Sequence, residues 1–282
     1  MSADPDTGPE VDPAVDRALA EAPEQDYVGT RDLTLWPTAT GRFVLDLTLR
    51  AARRIAPDRL LAITLAIGLG LVAVLTALAA DVYDAVAESD GISGLDRPAL
   101  DAALAVRTST GDRLITAYTD LGGPVEMPIL ATLVAVGLAV LWRQWTPIVL
   151  TAVTGLGSLL LTVVGKAMVG RSRPPLVDAV PPFETSFSFP SGHALNSLAL
   201  AGIVAYLLVR KQRTAWARAL TITLALSFAL TMGLSRVYLG HHWLTDVVVA
   251  WTLALAWLTV VITAHRLFIT VRRRKPSYSQ LT

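Results

Sequence analysis

Residues 60–80 read LLAITLAIGLGLVAVLTALAA, 21 consecutive positions without a charged side chain. At 1.5 Å per residue a helix of about 20 apolar residues crosses a hydrocarbon core roughly 30 Å thick. This stretch predicts a membrane-spanning helix. The composition agrees: 53% of residues are hydrophobic, only 17% are charged, and mean hydropathy is +0.52. Soluble domains carry about 25% charged residues.

Working outward, five further apolar runs lie at 122–142, 145–165, 192–209, 219–235 and 247–264. The expectation is an all-α integral membrane protein whose six transmembrane helices occupy residues 58–268. No secretory signal peptide is expected, because the first apolar run starts only at residue 60 behind an acidic, Pro-containing segment. Residues 1–39 read as a disordered acidic tail. Residues 40–57 mix apolar side chains and arginines at helical spacing, which predicts an interfacial helix. Residues 269–282 read as a basic tail suited to anionic lipid. The chain contains no cysteine, so disulfides and thiolate catalysis are excluded. A net charge of +1 is uninformative about partners, and no basic patch with interleaved aromatics points to nucleic acid. Gly68 and Gly70 permit close helix contact but do not determine an oligomeric state.

The positive charges orient the chain. Arg50, Arg53, Arg54 and Arg59 precede the first span, Arg210, Lys211, Arg213 and Arg218 separate the fourth from the fifth, and Arg272, Arg273, Arg274 and Lys275 follow the sixth. With six spans these three groups share one face, expected to be cytoplasmic, together with both termini, in a plasma membrane. The opposite connection, 81–121, is mostly acidic, and DRPALDAALAVR within it predicts a short amphipathic helix on the outer surface.

Three polar clusters interrupt the apolar plan, and the alternation of spans brings all three to the extracytoplasmic face. KAMVGRSRP (166–174) supplies Lys166 and Arg173; FPSGHA (189–194) supplies Ser191, Gly192 and His193; SRVYLGHHWLTD (235–246) supplies Arg236, His241, His242 and Asp246. Three cations suit an oxyanion, and the guanidinium fork suits phosphate oxygens. Pro190-Ser191-Gly192 reads as a helix opening whose free N–H groups attract an anion, with Gly192 allowing close approach. Asp246 follows His242 by four residues, so on a helix beginning there the two share a face. The carboxylate would fix the imidazole tautomer and leave the other nitrogen free to attack. His242 is therefore the expected nucleophile, His241 a supporting residue, and His193 the acid that protonates a leaving alkoxide. No metal or other cofactor is called for. Arg171 reads as a solvated loop charge. Glu126 reads equally as a polar gate or an interfacial residue. The phenylalanines of PPFETSFSFP (181–190) could meet lipid chains or anchor their loop.

The spacing of Lys166 with Arg173-Pro174, of Pro190-Ser191-Gly192-His193, and of Ser235-Arg236 with His242 and Asp246 resembles the three-part signature of the type 2 phosphatidic acid phosphatase superfamily. The order matches and no signature residue is missing. The resemblance implies a metal-independent phosphatase of six helices, with the third-motif histidine as nucleophile and the second-motif histidine as acid. In the membrane branch it implies an extracytoplasmic site that takes lipid phosphates or diphosphates. Transfer of the phosphoryl group to another lipid or glycan uses the same residues. A non-catalytic transporter or scaffold would need fewer of them.

Overall fold

The computed structural model describes residues 27–28, 31–52, 59, 63–70 and 92–274. The architecture is helical throughout, apart from a two-stranded antiparallel ladder, β1 (Tyr27–Val28) with β2 (Arg31–Asp32). The helices are α1 (Ala39–Ala52), α2 (Asp96–Ala105), α3 (Ser109–Asp120), α4 (Glu126–Trp142), α5 (Thr146–Val169), α6 (Gly192–Val209), α7 (Ala215–Tyr238) and α8 (Leu244–Arg274). Four of these, α5 to α8, are long and apolar enough to cross a membrane, and α4 is a shorter apolar helix of 17 residues. The expected first span lies largely outside the described residues. Its described part, 63–70, is helical and packs on α8, where a Cβ at Gly68 would run into Val260. Among the described residues, nothing lies within 4 Å of a Cβ built on Gly70.

Local chemistry explains the helix ends. Thr108 and Thr214 cap α3 and α7 by accepting hydrogen bonds from Gly111 N (3.0 Å) and Ala217 N (3.2 Å). Helix α5 opens with a proline in its first turn and closes on Gly170 in the left-handed conformation (φ +61°). The core lies among α5, α6, α7 and α8 around Trp257, which is 2% exposed. A Cβ at Gly157 would strike its ring, so α5 and α8 approach closely there, and the indole donates to Thr154 O at 3.1 Å. Outward-facing Leu133, Val140, Leu156 and Leu224 leave an apolar exterior suited to a hydrocarbon surrounding.

Two expectations differ from the structure. The end of the segment read as a disordered tail is folded against α8. Arg266 donates to Leu33 O (2.9 Å) and Leu35 O (3.0 Å), and Trp36 stacks on its guanidinium at 4.5 Å. An amphipathic helix in the 81–121 connection exists as α2, but it does not merely rest on a surface. Its Leu100 is 1% exposed and its Asp96 4% exposed, because both pack into the helical bundle. A further helix, α3, follows directly.

Candidate active site

Alternating helix directions bring the C-termini of α5 and α7 to the same end of the bundle as the N-termini of α4, α6 and α8. The three polar clusters meet there. Short backbone ties assemble them: Ser188 N donates to Arg171 O (2.8 Å), Val180 N to Leu239 O (2.9 Å), and Ser191 N to Asp246 O (3.3 Å). Helix α5 approaches the second cluster so closely that a Cβ on Gly165 would stand 2.6 Å from the Pro190 ring. The third cluster turns on Gly240, whose φ of +71° belongs to the left-handed region that disfavours side chains. Arg107, from the α2–α3 connection, clamps this corner by donating to Tyr238 O (2.7 Å) and Asp178 O (2.6 Å).

His242 is 1% exposed, yet it does not lie on a helix. The amides of His241 and His242 donate back to Arg236 O (3.0 and 3.2 Å), closing the end of α7, and α8 begins only at Leu244. The expected pairing of His242 and Asp246 on one helical face is therefore replaced by a turn that folds the imidazole over the start of α8. Its Nδ1 lies 3.5 Å from Asp246 Oδ2 and 3.4 Å from Ser188 Oγ, while Nε2 lies 3.2 Å from Arg173 Nη1. Asp246 also accepts from Trp243 N (3.0 Å), the reach-back of a capping box, and from the Ser188 hydroxyl. One carboxylate both starts the helix and faces the imidazole. Burial pushes the His242 pKa down to about 4, and the hydrogen bond to Asp246 opposes this only in part. The ring is neutral at pH 7, with its Nε2 side turned toward the cations.

A cavity of about 490 Å³ is lined by Lys166, Gly192, His193, Arg236, His241 and His242, together with Glu126 and Phe183. Arg173 reaches this group through His242 and Glu184. Asp246 and Ser191 stand behind it, and the Ser191 hydroxyl is buried with no hydrogen-bond partner among the described residues. His193, in the first turn of α6, packs near Gly122 of the α3–α4 connection. His241 is buried, with Nε2 2.6 Å from Val180 O. Glu126 lines the cavity. The three phenylalanines divide: Phe189 is 1% exposed, whereas Phe183 and Phe187 are about half exposed.

Several residues of this site were missed in the sequence. Glu184 bridges the two arginines, one oxygen accepting from Arg236 and the other from Arg173 at 2.6 Å. Burial alone would raise its pKa, but the charges of Arg236 and Arg173 outweigh burial and hold it at about 2. A carboxylate thus sits between the guanidiniums where a phosphate oxygen pair would fit. Arg171, expected to be a solvated loop charge, has only 16% of its side chain exposed and pairs with both Asp96 and Asp246 at 2.6 Å. The only hint for Glu184 was an acid standing alone in an aromatic loop beside the second cluster.

A neutral imidazole backed by a carboxylate, three cations and a second histidine can transfer a phosphoryl group. The comparisons with known proteins agree with this chemistry. Residues 145–269 match the family model described as the PAP2 superfamily. Phosphatidylglycerophosphatase B of Bacillus subtilis (strain 168) is 30% identical over 175 residues, which cover 62% of this chain and 85% of that protein. The chain belongs to the PAP2 superfamily. A shorter match, 39% identical over 77 residues, covers 27% of this chain and 28% of phosphatidylglycerophosphatase B of Escherichia coli (strain K12). The crystal structure of a transmembrane PAP2-type phosphatidylglycerolphosphate phosphatase from Bacillus subtilis superposes with a TM-score of 0.58 at 28% identity. It covers 69% of this chain and 92% of that one. Among PAP2 proteins this chain is thus an integral membrane member.

Proposed function

We propose that this lipid phosphatase of the PAP2 superfamily hydrolyses a lipid phosphate monoester or diphosphate through a phosphohistidine, releasing inorganic phosphate on the extracytoplasmic side. The observation that carries this reading is the orientation of His242. Its Nδ1 side is backed by Asp246 at 3.5 Å, and its Nε2 faces the guanidinium of Arg173 at 3.2 Å. In the first step the substrate phosphate replaces Glu184 between Arg173 and Arg236, with Lys166 and the first amides of α6 completing its cradle. Nε2 of His242 attacks phosphorus as the bond to the lipid oxygen breaks, and His193 gives that oxygen a proton. In the second step His193 takes a proton from water, the water oxygen bonds to phosphorus, and the N–P bond breaks to free phosphate. The cations stabilise the equatorial oxygens in both transition states. Support for this sidedness comes from Arg210, Lys211, Arg213 and Arg218 of the α6–α7 connection and Arg272 near the C-terminus of α8, which lie at the end of the bundle away from the site.

A second cavity of about 460 Å³ supports a lipid substrate. It is apolar, runs between α4 and α5, and shares Pro124, Leu159 and Asn196 with the first. A headgroup beside His242 can therefore keep its tail in the bilayer. Given the names of the relatives, phosphatidylglycerol phosphate heads the substrate panel, with phosphatidic acid and polyprenyl diphosphates beside it. The test is phosphate release in mixed micelles with chelator present. The native protein and His241→Ala should turn over, and His242→Ala should not. Equal turnover by native protein and His242→Ala would end the phosphohistidine scheme. Loss of lipid phosphate without free phosphate would point to transfer onto another acceptor.

A further inference from the structure

Behind the His242–Asp246 pair lies a second ionic layer that the phosphate chemistry does not touch. Arg171 Nη1 donates to Asp246 Oδ1 and Nη2 to Asp96 Oδ2, both at 2.6 Å. Asp96, at the first position of α2, also accepts from Thr245 N (2.8 Å) and Thr245 Oγ1 (2.7 Å) in the opening turn of α8. Arg171 donates to that same hydroxyl oxygen at 2.8 Å and lies over the Trp243 ring at 5.5 Å. Asp96 is 4% exposed, and neither it nor Arg171 lines the catalytic cavity. An Arg flanked by two buried carboxylates is more than a rim ion pair, since removing Arg171 leaves two buried carboxylates without their shared cation, and removing Asp96 leaves the whole guanidinium charge to Asp246.

We propose that Asp96 and Arg171 are positioning residues for the nucleophile, fixing how Asp246 is turned toward His242 and how much negative charge it presents there. The proposal rests on the assignment of His242 as nucleophile. Arg171 holds one oxygen of Asp246, which leaves the other for Ser188 and His242. Asp96 holds the far side of Arg171, so that Asp246 meets only part of the guanidinium charge. The electrostatic consequences carry opposite signs. Loss of the Arg171 charge makes the surroundings of His242 more negative and favours imidazolium. Loss of the Asp96 charge does the reverse. The other charged or titratable groups facing the pair are Arg173 and Glu184 from the 171–190 loop, Lys166 from α5, His193 from α6, Arg236 from α7, and His241. None of them is altered in these variants.

The test is the pH profile of kcat/KM for phosphate release by full-length protein in detergent, for native enzyme, Arg171→Gln, Arg171→Lys and Asp96→Asn. The acid limb should move up by roughly 0.5–1 pH unit in Arg171→Gln and down by a similar amount in Asp96→Asn. Arg171→Lys, which keeps the charge but cannot hold two carboxylates in a fork, should leave the limb near its native position and lower kcat. KM should change less than about twofold in all three, because none lines the cavity. Limbs that move the same way, or that stay put while kcat falls, would overturn the proposal and leave the cluster as framework alone. Should Arg171→Gln fail to fold, the downward shift in the isosteric Asp96→Asn decides the matter. Trapping alkali-stable, acid-labile phosphate on His242 of the native enzyme separates the two readings. A trapped phosphohistidine with unmoved limbs sinks only the positioning relay. Phosphate trapped elsewhere sinks the assignment of the nucleophile.

Discussion

Gathering Lys166, Arg173 and Arg236 around one site costs energy that Glu184, set between the two guanidiniums, offsets in part. Glu184, held at about 2, is anionic at neutral pH, and under the proposed mechanism it competes with phosphate for the guanidiniums of Arg173 and Arg236. In Glu184→Gln that competition disappears. Inhibition by inorganic phosphate should tighten about tenfold, the equivalent of ~1.4 kcal/mol, close to the lower end of what one hydrogen bond to a charged group contributes. Steady-state inhibition at pH 7 measures it, and unchanged or weaker inhibition would mean that Glu184 shapes the site rather than guarding it. His242 predicts a pH effect of definite sign. Its folded-state pKa of about 4 lies below the ordinary 6.5, so between those values the unfolded chain binds more protons than the folded one. Stability is therefore complete above pH 6.5 and falls as pH drops toward 4. Thermal unfolding in detergent across pH 7 to 4.5 should show this decline, and it should be shallower in His242→Gln. At this scale the sequence was legible where spacing carries chemistry: the residues of the three motifs converge on one end. Glu184, Arg171 and Asp96 were not legible, because all but one of their ion pairs in the site join residues 52 to 75 positions apart, and the exception, Glu184 with Arg173, spans 11 residues of loop without helical or strand spacing.

Elements matter here chiefly through their ends. The spans read from hydropathy fall on α4 to α8 with small shifts, because apolar runs mark the middle of a helix and not its caps. The start of α8 was misjudged for a related reason. A four-residue spacing suits a helix, but the carbonyl of Arg236 captures the His241 and His242 amides and delays α8 to Leu244. The turn depends on Gly240, where an alanine would face both a positive φ and the Asp178 carbonyl. Gly240→Ala should lose about 1–2 kcal/mol from the left-handed backbone alone and lower kcat at least as much as it lowers stability, since His241 and His242 follow it directly. Differential unfolding beside initial rates in the same detergent would measure both. Full activity in a destabilised protein would mean that the histidines keep their places without this corner.

At the scale of the whole molecule, a polar site has to be served from a bilayer without letting lipid tails into water. The catalytic cavity and the apolar groove between α4 and α5 meet at Pro124, Leu159 and Asn196, so the headgroup and tail of one molecule can occupy both. If the groove holds a chain, its filling should discriminate substrates by tail and not by headgroup. Ala152 lines the groove and is itself exposed, away from the histidines, so a larger side chain there adds bulk without entering the core. Ala152→Phe should raise KM for a long-chain lipid phosphate about five- to tenfold, corresponding to a loss of one or two buried methylenes of tail contact. A short-chain, water-soluble phosphate should be turned over as before, because the cations and His242 are untouched. Paired kinetics on substrates that share a headgroup and differ only in tail length make the comparison. Equal changes for both would indicate that the groove merely packs against lipid, and that the substrate tail leaves the site along another face of the bundle.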